Sequence, residues 1–192
     1  MVVVALAAVG EADEGAMRQI ETALARALGV AVRRLPPLPD PSGAYDASRQ
    51  QYSSTLIMRQ ALAGLPADLD KLLLVTERDL FIPMLSFVYG QAQLDGPVAL
   101  LSLARLRQEF HGLPPNRQLF LRRACTEALH EVGHAFGRVH CDEAGCVMAL
   151  STNNQQLDLK GGAYCTSCSV LLHDAVAGAG AAAQESRTGG KT

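Results

Sequence analysis

Three histidines lie within the segment 130–140, at positions that can meet around one metal ion. His130 and His134 are four residues apart, so on a helix both imidazoles rise from the same face, about one turn apart. Gly137 can adopt the positive φ of a sharp turn at the end of that helix, and His140 would then return to the metal. The spacing predicts a zinc site on His130, His134 and His140.

The acidic residue in this segment, Glu131, would point to a neighbouring sector of the helix, within reach of a metal-bound water. Three protein ligands leave the fourth position of zinc open to water, which is typical of a catalytic site. Zinc brings the pKa of such a water to about 7. Glu131 would accept its proton, the hydroxide would attack a carbonyl, and the proton would pass to the departing amine. The motif therefore predicts peptide-bond hydrolysis. An amphipathic helix with scattered histidines is the alternative, although three of the five histidines fall within eleven residues.

Four cysteines follow the third histidine and could form a second metal site. They are Cys141, Cys146, Cys165 and Cys168. Two pairs of thiols with a connector of this size can hold zinc tetrahedrally. Two disulfides, or a redox-active Cys-x-x-Cys, are the alternatives. Because His140 and Cys141 are adjacent, one short segment would serve both metals, and the cysteine site would position His140.

The elements that must carry these residues can be outlined from the sequence. The longest helical pattern covers Arg117–Phe136, with one apolar stripe that should face a sheet. Other predicted helices are the segment around Met17–Leu28 and Ser48–Leu62. Predicted strands are Val2–Val9, Val30–Arg33, Leu72–Val75, Phe87–Tyr89 and Val98–Leu103, and we expect Gly90–Gly96 to be a loop. The segment from Ala175 is rich in Ala, Gly and Ser, so we expect it to fray or be disordered.

Two further side chains are ambiguous from sequence alone. Cys125 lies on the apolar stripe and is expected to be a small core residue. Tyr164 could stabilise an oxyanion, but a half-buried position beside the cysteine site is the favoured interpretation.

The composition argues against nucleic acid and membranes as binding partners. The net charge is −2, which does not favour nucleic acid or an anionic membrane surface. No apolar run reaches the roughly 20 residues that span a bilayer. The first ten residues lack the basic start of a signal peptide, so we expect a cytoplasmic protein whose thiols stay reduced.

The histidine and cysteine motifs together resemble those of the archaemetzincin family. Here the pattern runs from His130-Glu131-x-x-His134-x-x-Gly137-x-x-His140-Cys141 to Cys146-x-Met148 and Cys165-x-x-Cys168. Sixteen residues separate Met148 from Cys165, about one fewer than the usual family spacing, and this affects a loop but no ligand. Upstream stretches are also similar, at Leu38-Pro39, Tyr45-Asp46, Thr76–Leu80 and Phe87–Gly90. The resemblance covers Val2–His173, and 130–168 is its specific part.

The resemblance implies an α+β, zincin-like metzincin fold, with a mixed twisted sheet, a backing helix, an active-site helix and a small C-terminal subdomain that holds a zinc on its four cysteines. We expect one catalytic domain over 1–178, divided into 1–137 and 138–178, with 179–192 as a disordered tail. The resemblance also implies two zinc ions per chain, Glu131 as general base, and Met148 as the methionine of the Met-turn. Substrate in such enzymes lies along an edge strand, and Pro97–Leu103 is the candidate here.

The function expected from these features is zinc-dependent hydrolysis of a peptide or protein substrate by a monomeric enzyme. One alternative is a metal-bearing protein that binds peptides but barely cleaves them, and Glu131 argues against it. Another is a zinc-ribbon adaptor for nucleic acid or protein, and the pI of about 6.2 argues against it.

Overall fold

The computed structural model describes residues 2–66 and 68–188. A five-stranded sheet in the order β2-β1-β5-β8-β7 forms the centre of the fold. Its strands are β1 Val3–Ala8, β2 Ala31–Arg34, β5 Lys71–Thr76, β7 Gly90–Ala92 and β8 Val98–Ser102. The first four in this order are parallel, and only β7 runs antiparallel to its neighbour. The sheet is therefore mixed, as predicted.

Helices cover both faces of this sheet. The helices α1 (Glu14–Leu28) and α3 (Arg117–Ala135) pack on one face, in a core shared with Leu73, Ala99 and Leu101. On the other face lies α2 (Ser54–Ala63), in a second core with Leu74 and Leu100. Alternate residues of each strand thus enter different cores, which explains why β1, β5 and β8 appear in the sequence as unbroken apolar runs.

A small second sheet was not predicted. Its order is β3-β4-β6, with β3 Tyr45–Asp46, β4 Gln51–Ser53 and β6 Leu80–Phe81. The strand β4 occupies the start of the predicted helix Ser48–Leu62. That helix begins only at Ser54, because the Ser53 side chain caps it by accepting from the Leu56 N–H at 3.4 Å.

The C-terminal part contains α4 (Asn154–Leu159) and α5 (Thr166–Thr188). The expectation of a disordered chain from Ala175 is wrong as far as Thr188, because α5 continues through these residues; alanine is the strongest helix former. Residues 189–192 lie outside the described part of the chain. Among the helices of the described residues, none has the length and hydropathy of a membrane span.

Two strand predictions near the cleft also need correction. The predicted strand Phe87–Tyr89 precedes the real one, since pairing with β8 begins at Gly90. The expected loop Gly90–Gly96 therefore contains β7. Before it, the chain makes a single bridge from Val88 to Leu80.

Candidate metal centres and catalytic cleft

The active-site helix α3 carries the first two histidines. It begins at Arg117, where the Asn116 side chain accepts from the Leu119 N–H at 3.0 Å. The Nε2 atoms of His130 and His134 lie 3.1 Å apart. The helix ends at Ala135, and Gly137 turns the chain with a φ of 79°, as the sequence predicted.

That turn brings His140 back to the other two histidines. Its ring centroid lies 5.3 Å from that of His130 and 4.9 Å from that of His134. One ligand atom from each of the three lies within 4.8 Å of the others. The structure therefore brings together all three predicted histidines.

Two imidazoles are oriented by backbone carbonyls. His130 Nδ1 lies 2.7 Å from the Val147 oxygen and His134 Nδ1 lies 2.5 Å from the Arg138 oxygen. A proton on each Nδ1 can be donated there, which leaves both Nε2 atoms free to bind a metal. Two nitrogens bound tetrahedrally to zinc are separated by about 3.3 Å, close to the 3.1 Å observed. The donor set fits zinc.

Burial sets the protonation of this site. It lowers the pKa of His130, His134 and His140, and the Lys160 ammonium lowers that of His130 further. Neutral imidazole is the form that binds metal. Burial also raises the pKa of the Glu131 carboxyl well above its usual value, with a second contribution from Glu127.

A cleft of about 360 Å³ opens over the three histidines. Glu131 and Glu127 line it from α3, and the edge strand β7 lines it from the sheet. Apolar side chains from both sides, Leu85, Phe87 and Leu150, complete the walls. Glu131 thus shares one cleft with the predicted metal ligands.

The strand beside the cleft is β7, and the prediction that Pro97–Leu103 forms the substrate edge is wrong. The strand β8 in that segment is paired on both sides, with β5 and with β7. The sequence showed β8 as the apolar run before the active-site helix, but an edge is defined by pairing, which the run does not reveal.

The four predicted cysteines also come together. Their sulfur atoms all lie within 4.8 Å of one another, and Cys141 Sγ is 3.9 Å from Cys165 Sγ. Thiolates bound tetrahedrally to zinc are about 3.8 Å apart. The Cys146 and Cys165 sulfurs accept backbone N–H groups, from Met148 and Cys168 among others, at 3.4 and 3.5 Å. All five cysteines are free, so the disulfide alternative is not supported.

Met148 connects the two clusters. It is fully buried, and its oxygen accepts from the Cys141 N–H at 3.0 Å. Its sulfur lies directly against Gly133, between the two histidines of α3, where a Cβ would be only 2.5 Å away. Met148 therefore packs against the turn of α3 that carries His130 and His134.

The two ambiguous side chains lie away from the cleft. The Tyr164 hydroxyl donates to the Leu129 oxygen at 2.6 Å, so it is not aimed at a substrate. Cys125 is half-buried, and burial raises the pKa of its thiol to about 11. With Leu129, it lines a cavity beside α1, so the stripe predicted to face the sheet partly faces that helix.

A buried ion pair beside the first histidine was not predicted. Lys160 Nζ lies 3.1 Å from Glu127 Oε1 and 3.5 Å from His130 Nδ1. The side chains of Lys160 and Glu127 are 1% and 4% exposed. The only sequence signal was that Glu127 precedes His130 by three residues and so shares its side of the helix.

Comparison with known proteins decides the family. The model of peptidase family M54 matches residues 39–174. The chain belongs to this family. It is 46% identical to the archaemetzincin of Methanocaldococcus jannaschii over 140 residues, which is 73% of this chain and 76% of that protein. Identity to the archaemetzincin of Methanopyrus kandleri is 38%, over 69% of this chain and 71% of the relative.

Solved structures of M54 relatives confirm the fold. The crystal structure of archaemetzincin from Methanopyrus kandleri matches with a TM-score of 0.81 and 32% identity, over 92% of this chain and 96% of that one. A zinc-dependent peptidase from Methanocorpusculum labreanum matches with a TM-score of 0.77 and 31% identity, over 88% and 99% of the two chains. The predicted archaemetzincin membership and α+β metzincin fold are therefore confirmed.

Proposed function

We propose that His130, His134 and His140 hold the catalytic zinc of this zinc-dependent M54 metallopeptidase and that Glu131 is its general base. The observation that carries the proposal is the convergence of three imidazoles within 4.8 Å, in a cleft that Glu131 also lines. A peptide or protein is the substrate.

The chemistry follows from these groups. When bound, zinc supplies a Lewis acid that lowers the pKa of a coordinated water and polarises the scissile carbonyl. Glu131 takes the proton of the attacking water at a carboxylate oxygen and delivers it to the leaving nitrogen. Burial raises the pKa of the Glu131 carboxyl above its usual value, with a second contribution from Glu127, and a raised pKa makes a carboxylate a stronger proton acceptor. The Val147 and Arg138 carbonyls keep two imidazoles in position.

Substrate in this proposal pairs with β7 as an added strand. The Tyr89 oxygen accepts from the Ser102 N–H of β8 at 2.7 Å, and the Gln93 N–H donates to the Val98 oxygen of β8 at 3.0 Å. Because hydrogen-bonded positions alternate along an antiparallel pair, the peptide groups of Gly90 and Ala92 point to the open side. Within 2–66 and 68–188, no backbone partner meets them there. An extended peptide can therefore pair with Gly90 and Ala92.

We further propose that the four cysteines hold a second, structural zinc, because their sulfurs are spaced as tetrahedral thiolates require. Four free thiols also suit a reducing compartment, so the cytoplasm remains our proposed location. One catalytic domain over 1–178, with Met148 as the Met-turn methionine, remains our proposed organisation. We also predict that the protein is a monomer, which light scattering would test. We predict that it binds no nucleic acid, which salt-dependent retention on DNA would test.

The experiment that tests the function pairs metal analysis with a Glu131→Gln variant on a peptide library. We expect two zinc ions per chain in both proteins and cleavage by the wild type alone. Equal turnover by both proteins would refute the role of Glu131. A wild type that holds zinc and binds peptides without cleaving any would instead support a binding protein.

A further inference from the structure

The side chain of Glu131 is held by packing and not by hydrogen bonds. The residue is only 5% exposed. Among the described residues, no side chain or backbone group donates to its carboxylate. A general base must nevertheless keep a defined position relative to the water it deprotonates. Its neighbours must therefore supply that position by their shape.

One steric constraint on this side chain comes from β7, at Gly90. A Cβ built on Gly90 would lie 2.5 Å from Glu131 Oε1 and 2.6 Å from both Cδ and Cγ. Real Cβ atoms do not approach other atoms this closely, so the Glu131 side chain occupies the space that any other residue at position 90 would fill. The contact involves the middle of the glutamate as well as its tip, so a small rotation of the carboxylate would not relieve it.

The backbone of Gly90 is not free to retreat. It pairs with Leu101 in the central sheet, and paired residues of an antiparallel ladder direct their side chains to the same face. Leu101 belongs to the core that contains α3. A side chain on residue 90 would thus point at the active-site helix α3. Neither β7 nor α3 can move away easily, because β7 is paired in the sheet and α3 is packed in the core.

We propose that Gly90 is a positioning residue for catalysis: the space left by its missing side chain fixes Glu131 in the cleft, while its outward peptide group pairs with substrate. The inference rests on the proposed role of Glu131. Gly90 would then serve both substrate pairing and the positioning of Glu131, because β7 aligns the scissile bond and also limits where the general base can lie.

The first test is Gly90→Ala in the zinc-loaded protein, with Gly64→Ala as the matched control. A Cβ at Gly64 meets no atom within 4 Å and its φ is −112°, so the control should keep wild-type kinetics. For Gly90→Ala we expect kcat to fall about a hundredfold, as when general-base catalysis is lost. KM should change much less and zinc content should stay equal to that of the wild type. A kcat within threefold of wild type, with zinc bound, would overturn the proposal.

The second test needs no activity and separates this inference from the proposed function. Gly90→Ala is combined with Glu131→Ala, and the thermal midpoint of each variant is measured. The extra methyl group should lower the midpoint by several degrees when Glu131 is present. It should not lower the midpoint in the Glu131→Ala background, because the colliding atoms are gone. If Gly90→Ala fails to fold, recovery of the fold in the double variant supports the contact. An equal loss in both backgrounds refutes it, whether or not Glu131 proves to be the general base.

Discussion

The buried pair of Glu127 and Lys160 should be costly to break on one side, because both side chains are almost fully buried. Opposite unit charges 3.1 Å apart attract by about 5 kcal/mol at an effective dielectric constant of about 20. Desolvation offsets most of this when both partners are present, so the intact pair adds little net stability. The change Lys160→Met leaves the Glu127 carboxylate buried without its cation, and such losses are typically about 3–5 kcal/mol.

The assay is chemical and thermal unfolding of the zinc-loaded protein. For a chain of this length, the expected loss corresponds to a fall of about 6–20 °C in Tm. The double variant Lys160→Met with Glu127→Leu should recover most of it, since no charge is then left unpaired. Arg18→Ala is the control, because its ion pair with Glu14 is 67% and 60% exposed and should contribute less than about 1 kcal/mol. A loss below about 1 kcal/mol for Lys160→Met, or no recovery in the double variant, would refute the reasoning.

Three other variants test the cysteine site, an ion pair and the substrate strand. Cys141→Ser should weaken zinc binding at the histidine site, because a zinc ion held by Cys141 would anchor the segment that presents His140; unchanged affinity in a chelator competition would contradict this. Asp13→Asn tests a carboxyl whose pKa the Arg117 guanidinium holds well below its usual value. Asn keeps the helix cap, so the comparison isolates the charge of Asp13. The free energy of unfolding of the wild type should exceed that of the variant by a constant margin above the unfolded pKa of about 4, and the margin should shrink as pH falls below it. A margin independent of pH from about 2 to 7 would refute the assignment. Ala92→Pro removes an outward N–H of β7 without breaking its pairing to β8, and should lower kcat/KM about two- to tenfold; unchanged kinetics would argue against substrate pairing there.

Sequence patterns predicted the elements whose identity depends on local composition. The helix α3 followed from its periodicity and its histidine spacing, and β1, β5 and β8 followed from their apolar runs. The convergence of the histidines could be predicted because helix geometry and one glycine turn determine it.

Features that depend on pairing across the chain were missed or misplaced. The strand β7 begins at Gly90, a residue with low strand propensity, because β8 pairs with it. The second sheet consists of strands of two or three residues, too short for any periodic pattern. Glu127 and Lys160 are thirty-three residues apart, and each looks like an ordinary surface charge until the fold buries both. The tail of α5 was misjudged because its composition suggests disorder although its alanines favour helix.

The most direct test of the central claim is a crystal structure of the zinc-loaded protein with anomalous diffraction at the zinc edge. At the histidine site, the account predicts an anomalous peak about 2.0–2.1 Å from the Nε2 atoms of His130, His134 and His140. The Glu131 carboxylate should lie beside the open coordination position of that zinc ion. A zinc ion bound without one of these three imidazoles, or a peak among the cysteine sulfurs alone, would contradict it.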